Sequence, residues 1–209
     1  MKLNAGNTVN ILSAQDEHYL YSDSSTKKSF GRSKQSTQEH YTLTNVGSEL
    51  TAGNNLTINA DITDTGITRN NSGQVLIESS DLTAGKQLII SADEGLTITA
   101  QQDIDYAKTT VKKSGFLGLS KSVKSDSSDI RQLAQSNAAT KTEDLSLLSG
   151  QDITLIAANI DSANDLTIKA EGDITISAGL ESETTQHLDA KTSFLSGGNL
   201  FEMEKNSES

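Results

Sequence analysis

Asp144-Leu145-Ser146-Leu147 and Asp152-Ile153-Thr154-Leu155-Ile156-Ala157 return 21 residues later as Asp165-Leu166-Thr167-Ile168 and Asp173-Ile174-Thr175-Ile176-Ser177-Ala178. A fixed period of about 20 residues, built of short alternating strands with Gly, Asn or Asp between them, is the sequence signature of a solenoid. The same pattern recurs upstream. Leu3-Asn4-Ala5-Gly6-Asn7 precedes Val9-Asn10-Ile11, Leu50-Thr51-Ala52-Gly53-Asn54 precedes Leu56-Thr57-Ile58, and Leu82-Thr83-Ala84-Gly85-Lys86 precedes Leu88-Ile89-Ile90. Alternation sends apolar residues to one face and Thr, Asn or Lys to the other. Gly at the Ala-Gly corner is expected to supply a positive φ.

Stacked in register, such turns make an all-β fold, a parallel β-helix of about 20–21 residues per turn whose neighbouring turns lie about 4.8 Å apart. One turn cannot bury its own apolar face, so stability comes from the turns above and below. The pattern places coil turns over about 1–14, 44–100 and 143–180. The expected core is Val9, Ile11, Leu56, Ile58, Leu88, Ile90, Leu96, Ile98, Leu145, Leu147, Ile153, Leu155, Leu166, Ile168, Ile174 and Ile176.

Polar, Ser-, Thr-, Lys- and Gln-rich excursions separate the coils, over about 15–41, 101–142 and 180–209. A shared register argues against disorder. Ala14 to Phe30, Ala100 to Phe116 and Ala178 to Phe194 are each 16 residues apart, and the larger module spans 86 and then 78 residues. Each excursion reads as an outgoing strand, a turn at a Gly/Phe tip, and a return strand. Tyr19, Tyr21, Tyr41 and Tyr106 fall on the arms. Asp129 to Ala139 is also compatible with a short helix, because Ile130, Leu133, Ala134 and Asn137 have helical spacing.

Composition agrees with a narrow stack. A hydrophobic fraction of 33% and an aromatic fraction of 4% are thin for a globular core but sufficient for columns of Val, Ile and Leu. Pro is absent, as suits a chain that is mostly paired strand. Cys is absent too, which removes disulfides and thiolate metal sites and is compatible with secretion. The net charge of −11 argues against nucleic acid as a partner. No signal peptide is read at Met1-Lys2-Leu3-Asn4-Ala5-Gly6, and no apolar run reaches the ~20 residues of a membrane span.

Little points to catalysis. His18, His40 and His187 form no metal-ligand spacing and read as solvated strand positions. No nucleophile elbow, phosphate loop or calcium nonapeptide is present. Asp103, Asp105, Asp126 and Asp129 read as solvated carboxylates. Asp144, Asp152, Asp165 and Asp173 sit at strand starts, where Asp caps a turn. Paired carboxylates on a β-helix also suit a polysaccharide-acting enzyme, so that alternative stays open. No catalytic residue, cofactor or metal is assigned. The apolar tips in their polar, basic surroundings are the candidate interaction sites: Phe30, Phe116, Leu117, Leu119, Phe194 and Leu195, with Lys28 and Lys113 beside them. Exposed, they suit a partner, a lipid surface or a glycan. Folded back or packed on the next excursion, they would tie modules together.

The repeated Leu-Thr-Ala-Gly turns, interrupted by Lys112-Lys113-Ser114-Gly115-Phe116-Leu117-Gly118 and its counterparts, resemble the haemagglutinin-repeat region of filamentous haemagglutinin-type exoproteins, which include the contact-dependent growth inhibition toxins. The resemblance covers essentially the whole chain. It implies a right-handed parallel β-helix and export through the outer-membrane transporter of a Gram-negative two-partner secretion system. It also implies a place on the bacterial cell surface, in adhesion, virulence or toxin delivery. The chain is expected to be an internal, rod-like stalk segment of a larger secreted protein that meets a target-cell receptor, glycan or membrane. A membrane-interacting segment for toxin delivery is a further alternative.

Overall fold

The computed structural model describes residues 1–60 and 73–193, and the backbone of residues 202–208. Wherever apolar and polar residues alternate, the chain forms parallel strands of three to five residues that stack into a β-helix. Three sheets make its walls. The first stacks Lys2–Asn4, Leu56–Ala60, Leu88–Ala92, Leu145–Ser149 and Leu166–Ala170. The second stacks Thr8–Ile11, Gln74–Glu78, Gly95–Thr99, Asp152–Ile156 and Ile174–Ser177. The third stacks Glu49–Ala52, Asp81–Ala84, Ser136–Thr140 and Ala158–Asp161.

Register turns these strands into columns of like residues. Leu3, Ile58, Ile90, Leu147 and Ile168 align in the first sheet, and Val9, Val75, Leu96, Ile153 and Ile174 in the second. Ile58, Ile90, Leu147 and Ile153 are wholly buried. Each such side chain stabilises the coil by about 1.5–3 kcal/mol. The interior thus holds the expected central residues, together with Val75, Ile77, Leu82 and a set of small alanines. Leu166, Ile174 and Ile176 keep register but are 45%, 47% and 68% exposed. They lie in the fifth turn, which among the described residues is covered on one side only. Their expected burial is therefore not realised.

Outward-facing polar residues also stack. Asn137 Nδ2 donates to Asp81 Oδ1 at 2.6 Å, and Asn159 Nδ2 donates to Asn137 Oδ1 at 3.1 Å. At the corner from the second sheet to the third, Ser48, Ser80 and Ser136 form a column. The Ser80 hydroxyl accepts the Ser48 N–H and the Ser136 hydroxyl accepts the Ser80 N–H. Ser80 and Ser136 are buried, and these bonds satisfy groups that water does not reach.

The Ala-Gly corners work differently from expectation. Among the described residues the glycines with positive φ are Gly31 and Gly118, neither of them at such a corner. Gly85 is needed for space: a Cβ there would collide with the Gly53 carbonyl of the turn above.

The polar excursions form a second unit, Asp16–Thr44, Asp103–Gln132 and Glu181–Ser209 by its bounds. Ala14–Lys27 and Ser33–Val46 make the first hairpin, Gln101–Ser114 and Ser120–Ala134 the second, and Ser182–Ser193 with Glu202–Glu208 the third. The hairpins pair edge to edge into one six-stranded antiparallel sheet. Asp129 to Ala139 is extended and not helical, and coil structure resumes at Ser136–Thr140, ahead of the expected 143.

Candidate functional site

The tips of the first two hairpins meet. The first closes through the Lys28 N–H, which donates to the Arg32 carbonyl at 2.8 Å. The second closes through a single 3-10 turn, Phe116–Gly118. The Leu117 N–H donates to the Phe30 carbonyl at 2.8 Å, and the Phe30 and Phe116 rings lie 5.7 Å apart, tilted by 37°. Even so, Phe30, Phe116 and Leu117 are 69%, 46% and 64% exposed. Lys28 and Lys113 are also exposed, while Leu119 is half-buried. Phe194 and Leu195 lie outside the described residues.

Two bulky residues at this apex hold left-handed backbone: Phe30 at φ 62° and Leu117 at φ 52°. Such a conformation costs roughly 1–3 kcal/mol per residue. The bond and the ring pair between the tips each return about 0.5–1.5 kcal/mol. The apex thus combines locally unfavourable backbone with exposed apolar side chains.

Charge is segregated along the sheet. Residues 24–36 and 111–124, the outer parts of the two hairpins cut at one level of the sheet, carry eight Lys and Arg and no Asp or Glu, out of 17 cations in a chain of net charge −11. Nearer the coil the same hairpins carry Asp16, Glu17, Asp23, Glu39, Asp103, Asp105, Asp126 and Asp129, with Lys108 and Arg131 as the cations among them. The charge argument from composition averages over this division and conceals it.

The two faces of the sheet differ as well. Tyr41 and Tyr106 are register partners and so share a face. On that face Tyr19 donates to Glu39 at 3.2 Å and Tyr41 donates to Glu17 at 2.6 Å. Both phenols titrate above their ordinary range. For Tyr19 the leading cause is desolvation, and for Tyr41 the bond to Glu17. On the other face His40 Nε2 pairs with Asp105 Oδ1 at 2.9 Å, and His187 Nδ1 pairs with Asp126 Oδ1. Each pair bridges two neighbouring hairpins. His40 and His187 are thus cross-strand partners, a role that sequence spacing did not reveal.

The corner carboxylates cap turns. Asp144 Oδ1 accepts from Asn164 Nδ2 at 2.7 Å and from the Asp165 N–H at 3.2 Å, and Asp152 Oδ1 accepts the Asp173 N–H at 2.8 Å. Among the described residues no group of three or more His, Cys, Asp or Glu is placed to hold a metal ion.

The Hemagglutinin repeat family matches the chain twice, over residues 28–127 and 117–207. No curated protein and no solved structure matches it. The first match runs from the tip of the first hairpin through two coil turns into the second hairpin, and the second from the tip of the second hairpin through two coil turns into the third, so they cover the repeating module itself. A stacked coil with regularly spaced hairpins is the architecture of an adhesin-like structural segment, and the chain belongs to the Hemagglutinin repeat family.

Proposed function

We propose that this chain is a stalk-and-contact segment of a large secreted bacterial surface protein. The full-length protein is exported through the outer-membrane transporter of a two-partner system and acts as an adhesin or as the carrier of a contact-dependent toxin. The coil provides length through stacked turns, and the hairpin tips provide contact. The observation that carries this reading is the apex of Phe30, Phe116 and Leu117, exposed and backed by lysines at the end of paired hairpins. Solvent-exposed apolar groups of this kind mark interaction surfaces.

The test is binding of the fluorescently labelled chain to intact bacterial and cultured epithelial cells. Saturable binding is expected to at least one cell type. Phe30→Ser combined with Leu117→Ser should weaken it by about tenfold or more, the loss expected from two apolar contacts. The melting of the coil should not change. Binding to neither cell type, or binding indifferent to the double substitution, would overturn the proposal.

A further inference from the structure

We infer that the hairpin tips dock on an anionic lipid surface, with the apolar apex entering the headgroup layer and the lysines behind it meeting lipid phosphates. This rests on the reading of the tips as contact points and names their partner.

Three observations carry it. First, the outer parts of the two hairpins, residues 24–36 and 111–124, bear eight cations and no carboxylate of their own. Lys27, Lys28, Arg32, Lys34, Lys112 and Lys113 are exposed there. Clustered Lys and Arg of this density are drawn to anionic headgroups. Second, Phe30, Phe116 and Leu117 stand at the apex, with the basic residues behind them on both strands of each hairpin. A soluble polyanion needs only the cations. An apolar point ringed by cations fits the boundary between headgroup and acyl chain, where aromatic and aliphatic side chains lose water while lysines stay at the phosphates. Phe30 and Leu117 hold left-handed backbone there and remain 69% and 64% exposed. Third, the part nearer the coil is acidic, with eight carboxylates against Lys108 and Arg131. A sheet positive at one end and negative at the other orients in the field of an anionic surface with its tips leading. Asp189, on the third hairpin, pairs with Lys124 at 2.8 Å and with Lys191 at 3.7 Å, so one carboxylate of the neighbouring hairpin adjoins the basic zone.

The chain is tested against vesicles of phosphatidylcholine alone, against vesicles that also contain phosphatidylglycerol, and against soluble dextran sulfate. Expected is binding to the anionic vesicles, about a hundredfold weaker on neutral ones. Lys27→Glu, Lys28→Glu, Lys112→Glu and Lys113→Glu together should abolish it. Phe30→Ser with Leu117→Ser should weaken it about tenfold.

The chain has no Trp. Phe30→Trp therefore places one reporter at the apex, and its emission should shift to the blue on anionic vesicles. No vesicle binding would overturn the inference. So would an unshifted Trp, or dextran sulfate bound as tightly as vesicles with no effect of the apex substitutions. Cell binding without vesicle binding would remove the lipid assignment and leave the contact role standing. Loss of both would remove both.

Discussion

Ala157 and Ser79 show how single residues close the coil. Both sit at the corner from the second sheet to the third, in turns that carry no hairpin, and both hold left-handed backbone, at φ 48° and 43°. At Ala157 the side chain adds nothing that offsets the strain. Ala157→Gly should raise stability by up to ~1 kcal/mol, read as a higher melting temperature. Ser79 differs, because its hydroxyl donates to the Ala134 carbonyl at 2.6 Å and accepts the Gln101 N–H at 2.7 Å. Ser79→Ala should cost about 1–3 kcal/mol, because partly buried backbone groups lose their partner. Equal effects at the two positions would refute this division of roles. Neither role was readable from sequence, since left-handed alanine and serine follow no composition rule.

At the scale of elements, the hairpins were legible but their union was not. The matched spacing from Ala14 to Phe30 and from Ala100 to Phe116 marks two excursions with equivalent tips. It does not say that one hairpin's return strand pairs with the next hairpin's outgoing strand. That depends on register: Tyr106 falls opposite Tyr41, and Asp126 opposite His187. The seam between the second and third hairpins also carries Lys124 and Asp189. The bond from Lys124 is the largest cause holding the Asp189 carboxyl below its ordinary range, and the same bond raises Lys124. The lowered carboxyl adds stability that is fully present above its unfolded value and is lost as pH falls through the folded one. A carboxyl-carbon NMR titration should place Asp189 below the usual ~3.9, and Lys124→Ala should move it upward. A midpoint unmoved by Lys124→Ala would show that the bond does not form in solution.

At the scale of the whole molecule, the coil behaves as a stack in which each turn leans on its neighbours. Position in the stack, and not residue type, sets the energetic weight of an isoleucine. Ile90 is wholly buried between Ile58 and Leu147, whereas Ile176 stacks on Leu155 from one side and is mostly exposed. Ile90→Ala should cost about 2–5 kcal/mol. Ile176→Ala should fall within about 0.5 kcal/mol of the parent in the same chemical denaturation. Comparable losses at both sites would mean that the turns do not stack as described. Hairpins interrupt the coil after the first, third and fifth turns, while the second and fourth pass directly to the next through Ser79 and Ala157.

The sequence by itself determined the coil, its period and most of its core. Those follow from local alternation and from repetition, and both are one-dimensional signals. It also marked Phe30, Phe116 and Leu117 as apolar residues out of place in polar surroundings. Only the tertiary structure decided the rest. It put Phe30 against Phe116, joined three hairpins into one sheet, gathered eight dispersed cations toward two adjoining tips, and made Gly85 a matter of space between turns. Each of these depends on contacts between residues far apart in the chain, set by strand register, and no local pattern encodes which distant strand will be the neighbour.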